Sequence, residues 1–209
     1  MEENFYEGSI VLLEGAIANI NAKLDIIRKY RLINGKQDPI SHIVSRVKSE
    51  ESMKEKLKRK GFEVTLENAL TKVYDAAGMR IICNYIDDVY EVAEMLKHYQ
   101  DLKVVKEKDY IKNPKPNGYR SYHIIFELSL DLAGEITPVY VEIQIRTIAM
   151  DFWSSLEHEM KYKKNVKNPE LIVEELRRCA DEIATTDLNM QTIKKMIDAR
   201  GDDEWKKKY

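Results

Sequence analysis

Disulfides, membrane spans and glycine cradles are all missing from this sequence. It has two cysteines, Cys83 and Cys179, far apart, in apolar surroundings and in no CxxC pair. That excludes a disulfide scaffold and a zinc or dithiol motif. Apolar runs stop at about four residues, as in Ile10 to Leu13, whereas a membrane helix needs ~20. The first residues, Met1-Glu2-Glu3-Asn4, lack the basic start and apolar stretch of a secretory leader. These absences point to a reducing, cytoplasmic setting with no membrane partner. The eight glycines never fall at P-loop, kinase-loop or GxGxxG spacing, and there is no G-x-S-x-G or H-E-x-x-H. If a nucleotide binds here, side chains must hold its phosphates.

An excess of one charge is missing too. The 34 Lys and Arg nearly balance 36 Asp and Glu, for a net charge of -2 over 209 residues. That argues against binding nucleic acid through bulk positive charge. The balance hides segregation, however. Residues 43–60 hold seven bases against three acids, 103–120 hold six against two, and 161–167 hold four with none.

Helical periodicity runs through residues 5–33, where Ile10, Leu13, Ile17, Ile20, Leu24 and Ile27 recur at three and four. Further helices are expected at about 50–60, just before Asp75, over Asp87 to Tyr99, and over 148–163. The last should start at Asn168-Pro169, with Asn as cap, and run to about 199. Strands are expected at Met79 to Cys83, Leu102 to Val105, 121–130 and 137–146, the last two forming a hairpin about Gly134. Residues 109–119, with Pro114, Pro116, Asn117 and Gly118, read as a loop. The whole chain, 1–209, reads as one α+β domain. Its mixed or antiparallel central sheet has about five strands flanked by helices. The tail 201–209 is expected to fray.

Three groups of side chains could carry chemistry. Arg46 and Lys48 project to the same side of an extended chain, and Lys56 and Arg59 share a helix face. The four could converge on a polyphosphate, although a solvated helix face is the plainer reading of such charge runs. On the strand Val139 to Arg146, the residues Tyr140, Glu142, Gln144 and Arg146 point away from the apolar set. Glu142, if covered, needs a partner or a metal. With Asp75 it would make a pair able to hold Mg²⁺ on a triphosphate. The loop Lys112 to His123 mixes cations with Tyr119 and Tyr122, and its aromatic faces could stack on a base or merely anchor the next strand.

Together these stretches resemble one family, the small alarmone synthetases of the RelA/SpoT synthetase superfamily. The matching segments are Ser45-Arg46-Val47-Lys48, Glu55 to Lys60, and Asp75-Ala76-Ala77-Gly78-Met79-Arg80-Ile81. They continue with Asn117-Gly118-Tyr119-Arg120-Ser121-Tyr122-His123 and Val141-Glu142-Ile143-Gln144-Ile145-Arg146-Thr147, running on to Trp153 and His158. The resemblance implies a nucleotidyltransferase-like catalytic core over 41–165, preceded by an N-terminal helix in 1–40 and followed by a C-terminal helix in 166–200. It implies transfer of the β,γ-pyrophosphate of ATP to the ribose 3′-hydroxyl of GTP or GDP, with Mg²⁺. Arg46, Lys48, Lys56, Arg59 and Arg80 then resemble ATP contacts. Asp75 and Glu142 resemble the catalytic Mg²⁺ ligands, and Glu142 is also the candidate base. Lys108, Lys115, Tyr119, His123, Gln144 and Asp151 resemble acceptor contacts, with Tyr119 stacking on guanine. Lys108 stands where many members have Arg, and Asp151 where some have Asn. The resemblance favours a homotetramer. Alarmone or single-stranded RNA as a regulator stays open, and Ser41 to Val44 departs from the alarmone-binding segment of one subgroup. Two alternatives accompany this reading: a toxic relative that pyrophosphorylates the tRNA 3′ end, which the basic stretch Lys161 to Lys167 could serve, and an inactive module that binds single-stranded RNA.

Overall fold

The computed structural model describes residues 5–132, 134–161 and 168–200. The basic stretch 161–167, apart from the backbone of Lys161, and the tail 201–209 lie outside them. The elements run α1 (Ser9–Ile33), β1 (Ile40–Val47), α2 (Glu50–Arg59), α3 (Leu66–Thr71), β2 (Ala77–Cys83), α4 (Ile86–Lys97). They continue β3 (Leu102–Asp109), β4 (Tyr122–Leu132), β5 (Glu135–Thr147), α5 (Ile148–Lys161) and α6 (Pro169–Arg200). The five strands form one sheet in the order β1-β2-β5-β4-β3. Only the central β2–β5 pair is parallel; the other three pairs are antiparallel.

Alternation along the strands gives the sheet two unlike faces. Met79 and Ile81, Val141 and Ile143, and Ile124 and Phe126 all turn one way and are buried. Helix α1 covers them with Leu13, Ala16, Ile20 and Leu24, and α4 with Val89, Val92 and Leu96. Each such side chain stabilises the fold by about 1.5–3 kcal/mol when fully buried. The opposite face carries Arg46, Gly78 and Glu142 in one row across β1, β2 and β5. Beside it runs Arg80, Gln144, His123 and Lys108 across β2, β5, β4 and β3.

The expected elements are present, with four differences. Helix α1 begins at Ser9 instead of residue 5, because Gly8 precedes it and Phe5 donates its N–H to Glu50 (2.7 Å). Strand β1 was not expected as a strand. It is an edge strand whose residues are mostly exposed, so no buried alternation marks it. Strand β3 runs four residues past Val105 because the second edge is also solvent-facing. There Lys106, Glu107 and Lys108 replace apolar residues, which also protects the edge from pairing with another chain. Asn168 does start α6, but in the left-handed region (φ 57°) and not in the extended conformation of a capping residue.

Candidate active site

Asp75 lies in the turn that leads into β2. The Lys48 N–H donates to the Ala76 carbonyl (2.8 Å), which extends the β1–β2 pairing and brings Lys48 beside that turn. Its ammonium meets Asp75 Oδ2 at 2.9 Å. Lys56 reaches the same oxygen at 2.5 Å from α2, whose Met53 and Leu57 are buried and so orient the helix. Burial pushes the Asp75 carboxyl up, but hydrogen bonds and charge from Lys56 and Lys48 outweigh it and hold the group below the ordinary range. Asp75 Oδ1 is buried with no hydrogen-bond partner.

Glu142 sits on β5 next to Gly78 of β2. His123 Nδ1 lies 3.4 Å from its Oε1, and Gln144 Nε2 donates to its Oε2 at 3.3 Å. Burial lowers the His123 pKa, leaving the ring neutral at pH 7. A carboxylate only accepts, so Nδ1 carries the proton and Nε2 accepts from the Tyr119 hydroxyl (2.8 Å). Burial raises the Glu142 carboxyl, and the hydrogen bond from His123 more than offsets it, so Glu142 is held below its ordinary range and ionised.

Arg146 completes a ring of contacts. Its Nη2 donates to the Tyr119 hydroxyl at 2.7 Å and to Gln144 Oε1 at 2.6 Å. Its Nη1 reaches Asp151 Oδ1 at 3.2 Å and its Nε reaches Ser121 Oγ at 3.4 Å. Arg146, Tyr119, His123, Glu142 and Gln144 thus form a closed circuit around the carboxylate. Asp151 also meets Arg80 at 3.3 Å.

Two open clefts meet at this point. One, of about 400 Å³, is lined by Arg46, Lys48, Arg80 and Gln144. The other, of about 290 Å³, is lined by Lys60, Lys72, Lys106, Lys108, Lys115 and Tyr110. Lys56, Asp75 and Glu142 line both. In the lysine-lined cleft the Lys115 ammonium lies 4.7 Å from the Tyr110 ring centre and 4.4 Å from that of Tyr119. Two cationic clefts sharing two acids and a lysine are suited to two polyanionic ligands that react with each other.

The sequence profile of the region found in RelA / SpoT proteins matches residues 45–167, more than half of the chain. This protein belongs to the RelA/SpoT family. Among its relatives, the GTP pyrophosphokinase YwaC of Bacillus subtilis is 45% identical over 194 residues, covering 92% of each chain. Small alarmone synthetase 1 from Bacillus subtilis, bound to its product pppGpp, matches with a TM-score of 0.82 at 35% identity. The match covers 90% of this chain and 95% of that one. The same synthetase bound to AMPCPP matches with a TM-score of 0.73 at 32% identity, over 89% and 93% of the two chains. The five-stranded mixed sheet with flanking helices is the synthetase core of these RelA/SpoT structures.

Within this RelA/SpoT core, most residues expected from the sequence converge. Arg46, Lys48, Lys56, Asp75, Arg80, Glu142 and Gln144 line the arginine-lined cleft. Lys108, Lys115 and His123 line the other; Gln144, expected among the acceptor contacts, lines the arginine-lined cleft, next to His123 in the strand register. Arg59 lines neither; it is exposed on the last turn of α2. Tyr119 and Asp151 are half-buried beside the clefts, both held by Arg146. Arg146 was missing from the expected site, as were Tyr110, Lys60, Lys72 and Lys106. For Arg146 the signal was present, since it shares the outward register of Glu142 and Gln144. Lys60 and Lys106 belong to the basic segments 43–60 and 103–120, whereas Tyr110 and Lys72 carry no local pattern.

Mg²⁺ fits the acids present. Among the described residues no group of three or more His, Cys, Asp or Glu is placed to hold a metal. Mg²⁺, however, is commonly held by one or two carboxylates plus substrate phosphates, and the unpartnered buried Oδ1 of Asp75 is an oxygen of that kind. Among the described residues no helix is long and apolar enough to cross a membrane.

Proposed function

We propose that this chain is a cytoplasmic enzyme that transfers the β,γ-pyrophosphate of ATP to the ribose 3′-hydroxyl of GTP or GDP, giving pppGpp or ppGpp and AMP. The observation that carries this reading is the junction of two cationic clefts at Lys56, Asp75 and Glu142. Donor and acceptor in separate clefts would meet there. The relatives bound to AMPCPP and to pppGpp support a donor and a product of these kinds.

ATP takes the arginine-lined cleft. Arg46, Lys48 and Lys56 neutralise its phosphates, Arg80 faces the adenine side, and Arg59 serves from the rim. The acceptor takes the lysine-lined cleft. Lys108 and Lys115 meet its phosphates, and His123 and Gln144 its ribose edge. Tyr119 supplies a stacking face for guanine. Asp151 has both arginines on Oδ1, so Oδ2 remains to accept from the guanine N1–H and amino group.

The 3′-oxygen attacks the β-phosphorus, and the bond from that phosphorus to the α,β-bridging oxygen breaks. AMP leaves with the bridging oxygen, and the 3′-hydroxyl proton passes to Glu142. Glu142 is ionised and aimed by His123 and Gln144, as a general base must be. Such transfers depend mostly on positioning and charge neutralisation, which explains the many cations around few acids. Asp75 and Glu142 would hold Mg²⁺, which neutralises phosphate charge when bound. Exposed Phe152, Leu156, Leu188, Met190 and Met196 on α5 and α6 support assembly with further copies of the chain, as a homotetramer.

The test uses purified protein, Mg²⁺, ATP labelled on its γ-phosphate, and GTP, GDP, GMP and tRNA in turn. Label on the guanosine nucleotide with matching AMP release is the expected result. Label on tRNA but not on free nucleotide, or AMP release without a labelled acceptor, would overturn it.

A further inference from the structure

Tyr119 is tied at both ends. Its hydroxyl is held by Arg146 and His123. Its backbone is held from the other side by α6, in which no chemistry was expected. Gly118 has φ +89°, and a Cβ there would lie 2.5 Å from Ala180 Cβ and 3.3 Å from Arg177 Cα. The loop therefore lies directly on the helix, at a distance only glycine permits. On the far side of Tyr119, Arg120 donates to the Gly118 carbonyl (3.0 Å) and the Ala180 carbonyl (3.3 Å), and pairs with Asp181 at 2.9 Å. The same stretch of α6 is fixed to α5, where Trp153 Nε1 donates to the Leu176 carbonyl (2.9 Å).

We propose that α6 is the positioning element for the acceptor base, and that Arg120 and Asp181 are positioning residues acting through Tyr119. The contact of Gly118 with Ala180 sets the height of the loop, and the Arg120–Asp181 pair sets its lateral place. Together they fix where the Tyr119 ring stands. The ligand affected is the guanosine nucleotide, because Tyr119 belongs to the lysine-lined side of the site and the ATP contacts come from β1, α2 and β2. The proposal rests on Tyr119 being the acceptor's stacking face, and the experiment separates the two ideas.

Steady-state kinetics are measured with ATP and GTP varied independently for Tyr119→Ala, Asp181→Ala, Gly118→Ala, Arg120→Asp and the exchange Arg120→Asp with Asp181→Arg. Asp181→Ala should raise the KM for GTP about fivefold, with the KM for ATP unchanged. Arg120→Asp should raise it further, and the exchanged pair should recover most of the loss. If Gly118→Ala fails to fold, Asp181→Ala and the exchange still decide, since Asp181 is an exposed side chain. A rise in GTP KM for Tyr119→Ala with none for Asp181→Ala would overturn the role of α6 and leave the stacking role standing. Equal rises in both KM values would also overturn it, as the mark of a merely structural part. No effect of Tyr119→Ala on GTP KM would remove the stacking role itself.

Discussion

Arg146 is a buried cation that donates to four side chains, Tyr119, Ser121, Gln144 and Asp151. Through Gln144 and Tyr119 it governs both groups that aim Glu142. Lysine in its place keeps the charge but loses the planar fork. Arg146→Lys is therefore expected to lower kcat at least about tenfold, while circular dichroism shows an intact fold. Glu142→Gln and Asp75→Asn should each lower kcat by about 10²-fold or more, read as AMP release at saturating nucleotide. Retained turnover in either would end the role assigned to that acid. Sequence alternation was enough to find Glu142 and Gln144, because a strand-face residue advertises itself by period. It did not show what Arg146 does, since three of its four partners come from two other segments, the stretch before β4 and helix α5. It also left Tyr119 with a free ring, whereas the structure ties its hydroxyl and stacks Lys115 against its face.

Between elements, the most telling residue is Gly78. It lies in the row between Arg46 and Glu142, and a Cβ there would meet only the Arg46 carbonyl, at 3.9 Å. The backbone tolerates a side chain, but it would project into the arginine-lined cleft. Gly78→Val should thus leave the melting temperature within a few degrees and raise the KM for ATP about tenfold or more. A second joint lies where β5 passes into α5. Thr147 donates to Asp187 of α6 at 2.6 Å and accepts the Met150 N–H. Burial raises the Asp187 pKa, so the native state favours its protonated form. That contribution is complete below the unfolded value near ~4 and is lost as pH climbs through the native one. Asp187→Asn removes the penalty, and its stability gain in urea melts should be larger at about pH 8 than at about pH 5. Helices and central strands were legible because they bury a regular face. The edge strands β1 and β3 were missed or shortened because they bury almost nothing.

At the scale of the whole molecule, a net charge of -2 conceals a surface sorted by sign. The cationic segments at 43–60 and 103–120 meet across the lysine-lined cleft, with Lys56 and Lys60 from one and Lys106, Lys108 and Lys115 from the other. Attraction between such clefts and polyanions is screened by salt over about 8–10 Å. The KM values for both nucleotides should therefore rise with ionic strength, while an uncharged solute alters neither. The exposed apolar residues of α5 and α6 predict a mass above that of one chain in light scattering. Charged substitutions at Leu188 and Met190 should reduce that mass.

The parallel pairing of β2 with β5 has a consequence for how the protein is made. Arg46, Gly78 and Glu142 are brought into one row by strands that lie far apart along the chain. Pairings of such long sequence separation form late and slowly in folding. A nascent chain that has emerged only as far as β4 lacks the central strand, and with it Glu142 and Gln144. Such a chain already holds both cationic segments, 43–60 and 103–120, but not the β5 carboxylate that would put them to use.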